Sequence, residues 1–122
     1  MSKFYVTTPL YYVNDTPHIG HAYTTILADV LARYHRIMGD EVYLLTGTDE
    51  HGQKVQEAAE KRGVEPKTHV DEYVLRFQDL WEKLYIQYDG FIRTTEPRHT
   101  KKVKELLNTL YEKDEIYLDE YE

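Results

Sequence analysis

Three features of this sequence predict an α/β domain, a parallel sheet with helices packed on its faces. Short β-branched and aromatic runs alternate with segments whose apolar residues recur every three or four positions. The order reads strand, helix, strand, helix, helix, strand, helix, strand, with no internal repeat. Glycine and proline punctuate these segments. The 122 residues suit one domain, taken as 1–122, because domains most often run to about 100–150 residues.

Lys3–Thr8 has the composition of a buried strand and stops at Pro9. Pro9–Pro17 is a loop in which Asn14, Asp15 and Thr16 supply turn and cap chemistry. From Ile19 onward, Ala22, Ile26, Leu27, Val30, Leu31, Tyr34 and Met38 recur at helical steps, an amphipathic helix that ends at Gly39. Glu41–Thr46 is a second strand ended by Gly47, and Gly52–Arg62 a helix closed by Gly63. Pro66 opens a third helix with Val70, Tyr73, Val74, Phe77, Leu80, Trp81 and Leu84 on one face. Gly90–Thr94 is the third strand. Pro97 opens a last helix with Val103, Leu106, Leu107, Leu110 and Tyr111 inward, and Ile116–Tyr121 is expected to be a strand. That strand is rich in acidic residues and stops without punctuation, so a piece of a longer protein is expected.

Composition narrows the function. With 15 Lys+Arg against 22 Asp+Glu the net charge is −7, a poor match for a protein that holds nucleic acid mainly through phosphates. The absence of cysteine excludes a disulfide scaffold, a thiol nucleophile and a cysteine zinc site. No apolar run is long enough to span a membrane and no hydrophobic targeting segment opens the chain, so a soluble, cytoplasmic protein is expected.

Parallel α/β sheets collect ligands beyond the carboxyl ends of their strands. Two chemically dense segments fall there, Thr7–His21 and Gly47–Gly52. Pro17-His18-Ile19-Gly20-His21 marks the start of the first helix. A helix N-terminus carries unpaired N–H groups and about half a positive charge, which suits phosphate. Histidines three apart stand on neighbouring positions of one turn, and Gly20 between them leaves bare backbone against which a flat ring could lie. Two other readings fit the same residues. His18 could simply cap the helix with His21 on the surface, or the pair could hold a metal with His51 and Asp49. Asp49 and Glu50 could likewise be a solvated acidic turn, Tyr11 and Tyr12 could pack on the sheet edge, and His51 could bond a backbone group. Arg93, Arg98, Lys101, Lys102 and Lys104 form a small basic surface, read more simply as a solvated helix face than as a nucleic-acid contact.

Tyr5–Asn14 with His18–Thr25, then Leu44–Gly52, then Phe91–Thr95 resemble, in order and in register, the bacterial-type methionyl-tRNA synthetases, which are class I aminoacyl-tRNA synthetases. The resemblance runs from Lys3 to the end of the chain. It implies a Rossmann-like (HUP-type) three-layer domain, the first half of the catalytic domain, ending near the family's inserted domain. It also implies that His18 and His21 are catalytic and hold the phosphates of ATP (with Mg2+) while the methionine carboxylate attacks the α-phosphate. Gly20 then lies under the adenine, and Thr7 and Asn14 shape the nucleotide side. Pro9, Leu10 and Tyr12 wall the methionine pocket, and Asp49 pairs with the substrate ammonium. In the family the product is transferred to tRNA(Met). Here no segment resembles the lysine-rich KMSKS signature or the cysteine zinc knuckle, so weak ATP binding, little tRNA binding and little complete charging are expected. A stand-alone HxGH-type nucleotidyltransferase, and a non-catalytic folding or assembly module that self-associates through exposed sheet edges, are the alternatives.

Overall fold

The computed structural model describes residues 1–120. In chain order these form β1 (Lys3–Thr7), β2 (Tyr11–Tyr12), α1 (Ile19–Ile37), β3 (Glu41–Asp49), α2 (Gln53–Arg62), α3 (Pro66–Lys83), β4 (Gly90–Arg93) and α4 (Pro97–Glu112). Every strand pairing is parallel, as alternating strands and helices require. Leu45 pairs with both Thr7 and Gly90, and Thr48 with both Tyr11 and Arg93. β1 and β2 therefore share one edge of β3, β4 takes the other, and β3 is the central strand. The expected α/β architecture is present.

The short β2 lies inside the segment expected to be loop. Tyr11 is buried, Tyr12 exposed and Val13 buried, an alternation that pairs the segment with Thr48 and Asp49 and keeps it against the sheet. β3 also runs through Gly47, which had been read as its end. A Cβ at Gly47 would stand 2.0 Å from the Ile92 carbonyl oxygen, so this glycine serves the close approach of β4.

α3 turns its expected face inward. Val70, Phe77 and Trp81 join Tyr11, Val13 and Val55 in the larger core cluster, with Tyr73, Leu80 and Leu84 at its margin. α1 does the reverse of what its large apolar residues suggest. Its sheet-facing side is Thr25, Ala28, Asp29 and Ala32, and Ala28 and Ala32 pack on Leu44, Val6 and Val42. Small side chains let the helix lie close to the strands. Leu27 and Val30 remain 52% and 55% exposed.

Two expectations near the end of the chain are overturned. α4 buries none of its residues; Val103, Leu106, Leu107 and Tyr111 are exposed and Leu110 is half-buried, because no element among the described residues packs on that face. Residues 116–120 form no strand, and Tyr121 lies outside the described residues.

Candidate functional site

The carboxyl ends of β1, β3 and β4 and the N-termini of α1 and α2 lie at one end of the sheet, as parallel strands with crossover helices dictate. His18 is the N-cap of α1, in extended backbone conformation. Its Nδ1 accepts from the Gly20 N–H at 3.0 Å, and its own N–H donates to His21 Nδ1 at 3.0 Å. This reciprocal arrangement is a capping box built from imidazoles. A neutral imidazole whose Nδ1 accepts a hydrogen bond carries its proton on Nε2. The cap thus fixes the tautomer of both rings and leaves two Nε2–H donors uncommitted to the helix. The ring centroids are 3.9 Å apart and tilted by 35°.

Gly20 has a specific steric role. A Cβ there would meet His18 Cε1 at 2.9 Å, so the bare backbone makes room for the folded-back His18 ring. One N–H of the helix terminus is consumed by His18 itself. His21 is half-buried, edge-on to Tyr11 at 4.9 Å and to Phe77 at 5.2 Å. Burial, and next the neighbouring His18, push its pKa below the ordinary 6.5, which favours the neutral donor form.

A cleft of about 380 Å³ opens in front of this cap, lined by Leu10, Tyr12, Asn14, His18 and His21 among others. Five of the residues singled out from the sequence are thereby brought together. Tyr12 also borders a second cleft of about 410 Å³ with His51, Gly52, Lys54 and Glu57. Asp49 pairs with Tyr12 across β2 and β3; its Oδ1 accepts from the His51 N–H at 3.3 Å. Thr7 and Pro9 are exposed at the end of β1 and beyond it, and with Gly20 and Asp49 they line neither cleft. Among the described residues no group of three or more histidine, aspartate or glutamate side chains could hold a metal ion. His51 Nε2 instead lies 3.3 Å from the Thr94 carbonyl.

Glu50 is the residue that sequence reasoning missed. Its side chain is 0% exposed and forms an ion pair with Arg93. Arg93 Nε and Nη2 donate to it at 2.7 and 2.6 Å, Thr48 at 2.6 Å and Thr95 at 2.9 Å. Arg93 also bridges to Asp71 at 2.5 Å. Burial pushes the Glu50 carboxyl up, but the bonds from Arg93, Thr48 and Thr95 outweigh it and hold it below the ordinary range. The Arg93 guanidinium is correspondingly pushed up, by its bond to Glu50 foremost. This clamp fixes the turn between Asp49 and Gly52 to the segment after β4, where Thr94 Oγ1 accepts from the Glu50 N–H at 2.8 Å. Of the acidic pair, Glu50 is buried and Asp49 half-buried. The basic surface is also largely neutralised: Arg98 pairs with Glu96, and Lys101 and Lys102 with Glu105.

The fold is that of class I aminoacyl-tRNA synthetases. The chain superposes on Mycobacterium tuberculosis methionyl-tRNA synthetase in complex with methionyl-adenylate with a TM-score of 0.96 and 44% identity, covering 99% of this chain and 24% of that one. It superposes on LeuRS of Agrobacterium radiobacter K84, in a ternary complex with tRNA and LeuAMS, with a TM-score of 0.88 and 28% identity, over 97% of this chain and 16% of that one. Residues 4–122 match the family model described as tRNA synthetases class I (M), and the chain belongs to that family. A Methionine--tRNA ligase of Halalkalibacterium halodurans is 56% identical over 98% of this chain and 18% of its own length. One of Synechocystis is 55% identical over 94% of this chain and 22% of its own. The chain thus spans about a fifth of the curated relatives it matches.

Proposed function

We propose that this chain supplies the ATP- and methionine-facing part of a methionine–tRNA ligase. In that reaction a methionine carboxylate oxygen attacks the α-phosphorus of ATP, the bond to the bridging oxygen of the β-phosphate breaks, and pyrophosphate leaves methionyl-adenylate. The observation that carries the reading is the imidazole capping box. It commits Nδ1 of His18 and His21 to the backbone and frees both Nε2–H groups, at the carboxyl end of the sheet, to donate to phosphate oxygens as charge grows on them.

The methionyl-adenylate in the M. tuberculosis complex supports the same assignment. Asn14 contributes to the nucleotide side with Thr7 and Gly20. Leu10 and Tyr12, with Pro9, offer the apolar wall a thioether requires. The Asp49 carboxylate offers a charge-assisted contact for the ammonium. Mg2+ would arrive with ATP, as part of the bound nucleotide. Transfer to tRNA(Met) belongs to the longer relatives. No helix among the described residues is long and apolar enough to cross a membrane. β1 and β4 each pair with β3 alone, and their free edges favour weak self-association.

Calorimetric titration with ATP tests the reading. Replacing both histidines, His18→Ala with His21→Ala, should weaken binding by roughly 10²- to 10⁴-fold, since hydrogen bonds to charged groups are worth about 1.5–3 kcal/mol each. Equal heats for the double variant and the unaltered chain would remove the site.

A further inference from the structure

Tyr11 and Thr25 are buried, and neither has a part in the chemistry assigned above. Thr25 Oγ1 donates to the His21 carbonyl oxygen, one helical turn back, at 2.9 Å. Its single proton is then engaged, so in the 2.8 Å contact between the two hydroxyls the Tyr11 phenol is the donor. A directed chain results, from phenol to threonine hydroxyl to the backbone of the histidine whose ring the phenol touches. The Tyr11 ring stands edge-on to the His21 imidazole, at 79°, and Phe77 meets the same imidazole at 75°. Tyr11 is further stacked on Phe77 at 6.1 Å, so the three rings brace one another.

We propose that Tyr11 is a positioning residue for His21. The hydroxyl chain through Thr25 pins the phenol, and the pinned ring edge fixes the imidazole in the rotation that keeps Nδ1 on the His18 N–H and aims Nε2–H at the cleft. Its consequence for phosphate binding rests on the ATP reading above; the ring geometry does not. Tyrosine is needed here for both halves of its side chain, the ring to brace and the hydroxyl to anchor.

Imidazole 15N spectra of the chain near neutral pH test this without any ligand. The unaltered protein should show His21 as a single Nε2–H tautomer, with a Tyr11 hydroxyl proton slow to exchange and close to Thr25. Tyr11→Phe and Thr25→Val should each lose the single-tautomer signature, and Thr25→Ser should keep it. Folded Tyr11→Phe and Thr25→Val proteins with unchanged His21 nitrogen shifts would overturn the proposal. A freely exchanging Tyr11 hydroxyl in the unaltered protein would overturn it too, whether or not the variants fold. A separate ATP titration distinguishes the two readings: no heat with the unaltered chain would defeat the nucleotide assignment, while the tautomer result would stand or fall by itself.

Discussion

His21 can accept the His18 N–H at Nδ1 only while it is neutral, and its surroundings favour that state at some cost in acid. Burial, and then His18, lower its folded pKa below 6.5, so the unfolded chain takes up a proton first as pH falls. Where the unfolded state binds more protons, stability decreases with falling pH. Denaturant midpoints should therefore drop as pH falls from above the ordinary 6.5 through the lowered folded value, and His21→Gln should flatten that dependence. A histidine protonated at Nδ1 also cannot accept the His18 N–H, so the cap opens over the same range. Glu50 follows the same sign in a more acidic range. Its lowered folded pKa gives stability that is fully present above its ordinary 4.5 and is lost as pH falls through the folded value. Arg93→Ala should be far worse than Glu50→Gln at neutral pH. The first leaves a buried carboxylate without its cation, which costs about 3–5 kcal/mol, and thermal melts of the two variants would rank them. The histidine pair was readable in the sequence because three-residue spacing on a helix is a local property. The clamp was not, because Glu50 and Arg93 are separated by 43 residues and meet only once β3 and β4 pair.

The same distinction between local and long-range information holds for the elements. α2 and α3 announce themselves by glycine and proline at their ends and one apolar face. Two residues are too few to announce β2; the signal in the sequence is the alternation of Tyr11, Tyr12 and Val13, which a strand paired to β3 turns into buried, exposed, buried. Gly47 was misread as a stop because glycine ends many strands, whereas here it sits between paired strands and admits the Ile92 backbone. Gly47→Ala makes the difference measurable. At a true strand end the substitution would be neutral or slightly stabilising, by about 0.4–1 kcal/mol where the backbone allows it. In the observed register its methyl meets a carbonyl oxygen at 2.0 Å, so the strands must part, at a cost of about 1–3 kcal/mol or more. Urea unfolding of the variant decides between them, and a midpoint at or above that of the unaltered chain would contradict the pairing.

Across the molecule, amphipathicity located the helices but did not say which way α1 faces. A stripe of large apolar residues is normally the inward one, yet α1 presents Ala28 and Ala32 to the sheet and carries Tyr23, Ile26, Leu27 and Val30 outward around a shallow cavity of about 230 Å³. Close packing explains the choice. Val6, Val42 and Leu44 already fill the layer beneath the helix, and only small side chains let it settle on them while Asp29 reaches the Gln87 N–H at 2.7 Å and Arg33 at 2.6 Å. Leucine at either alanine would lift the helix and strain those bonds. The expectation is an inversion of what hydropathy suggests. Leu27→Lys with Val30→Lys should change unfolding free energy by no more than about 0.5 kcal/mol per site, as exposed positions do. Ala32→Leu, the more hydrophobic change, should cost about 1–3 kcal/mol by overpacking. Chemical denaturation of the two proteins gives the comparison. A strongly destabilised lysine variant beside a stable leucine variant would mean that α1 is turned by half a revolution, and with it the capping histidines.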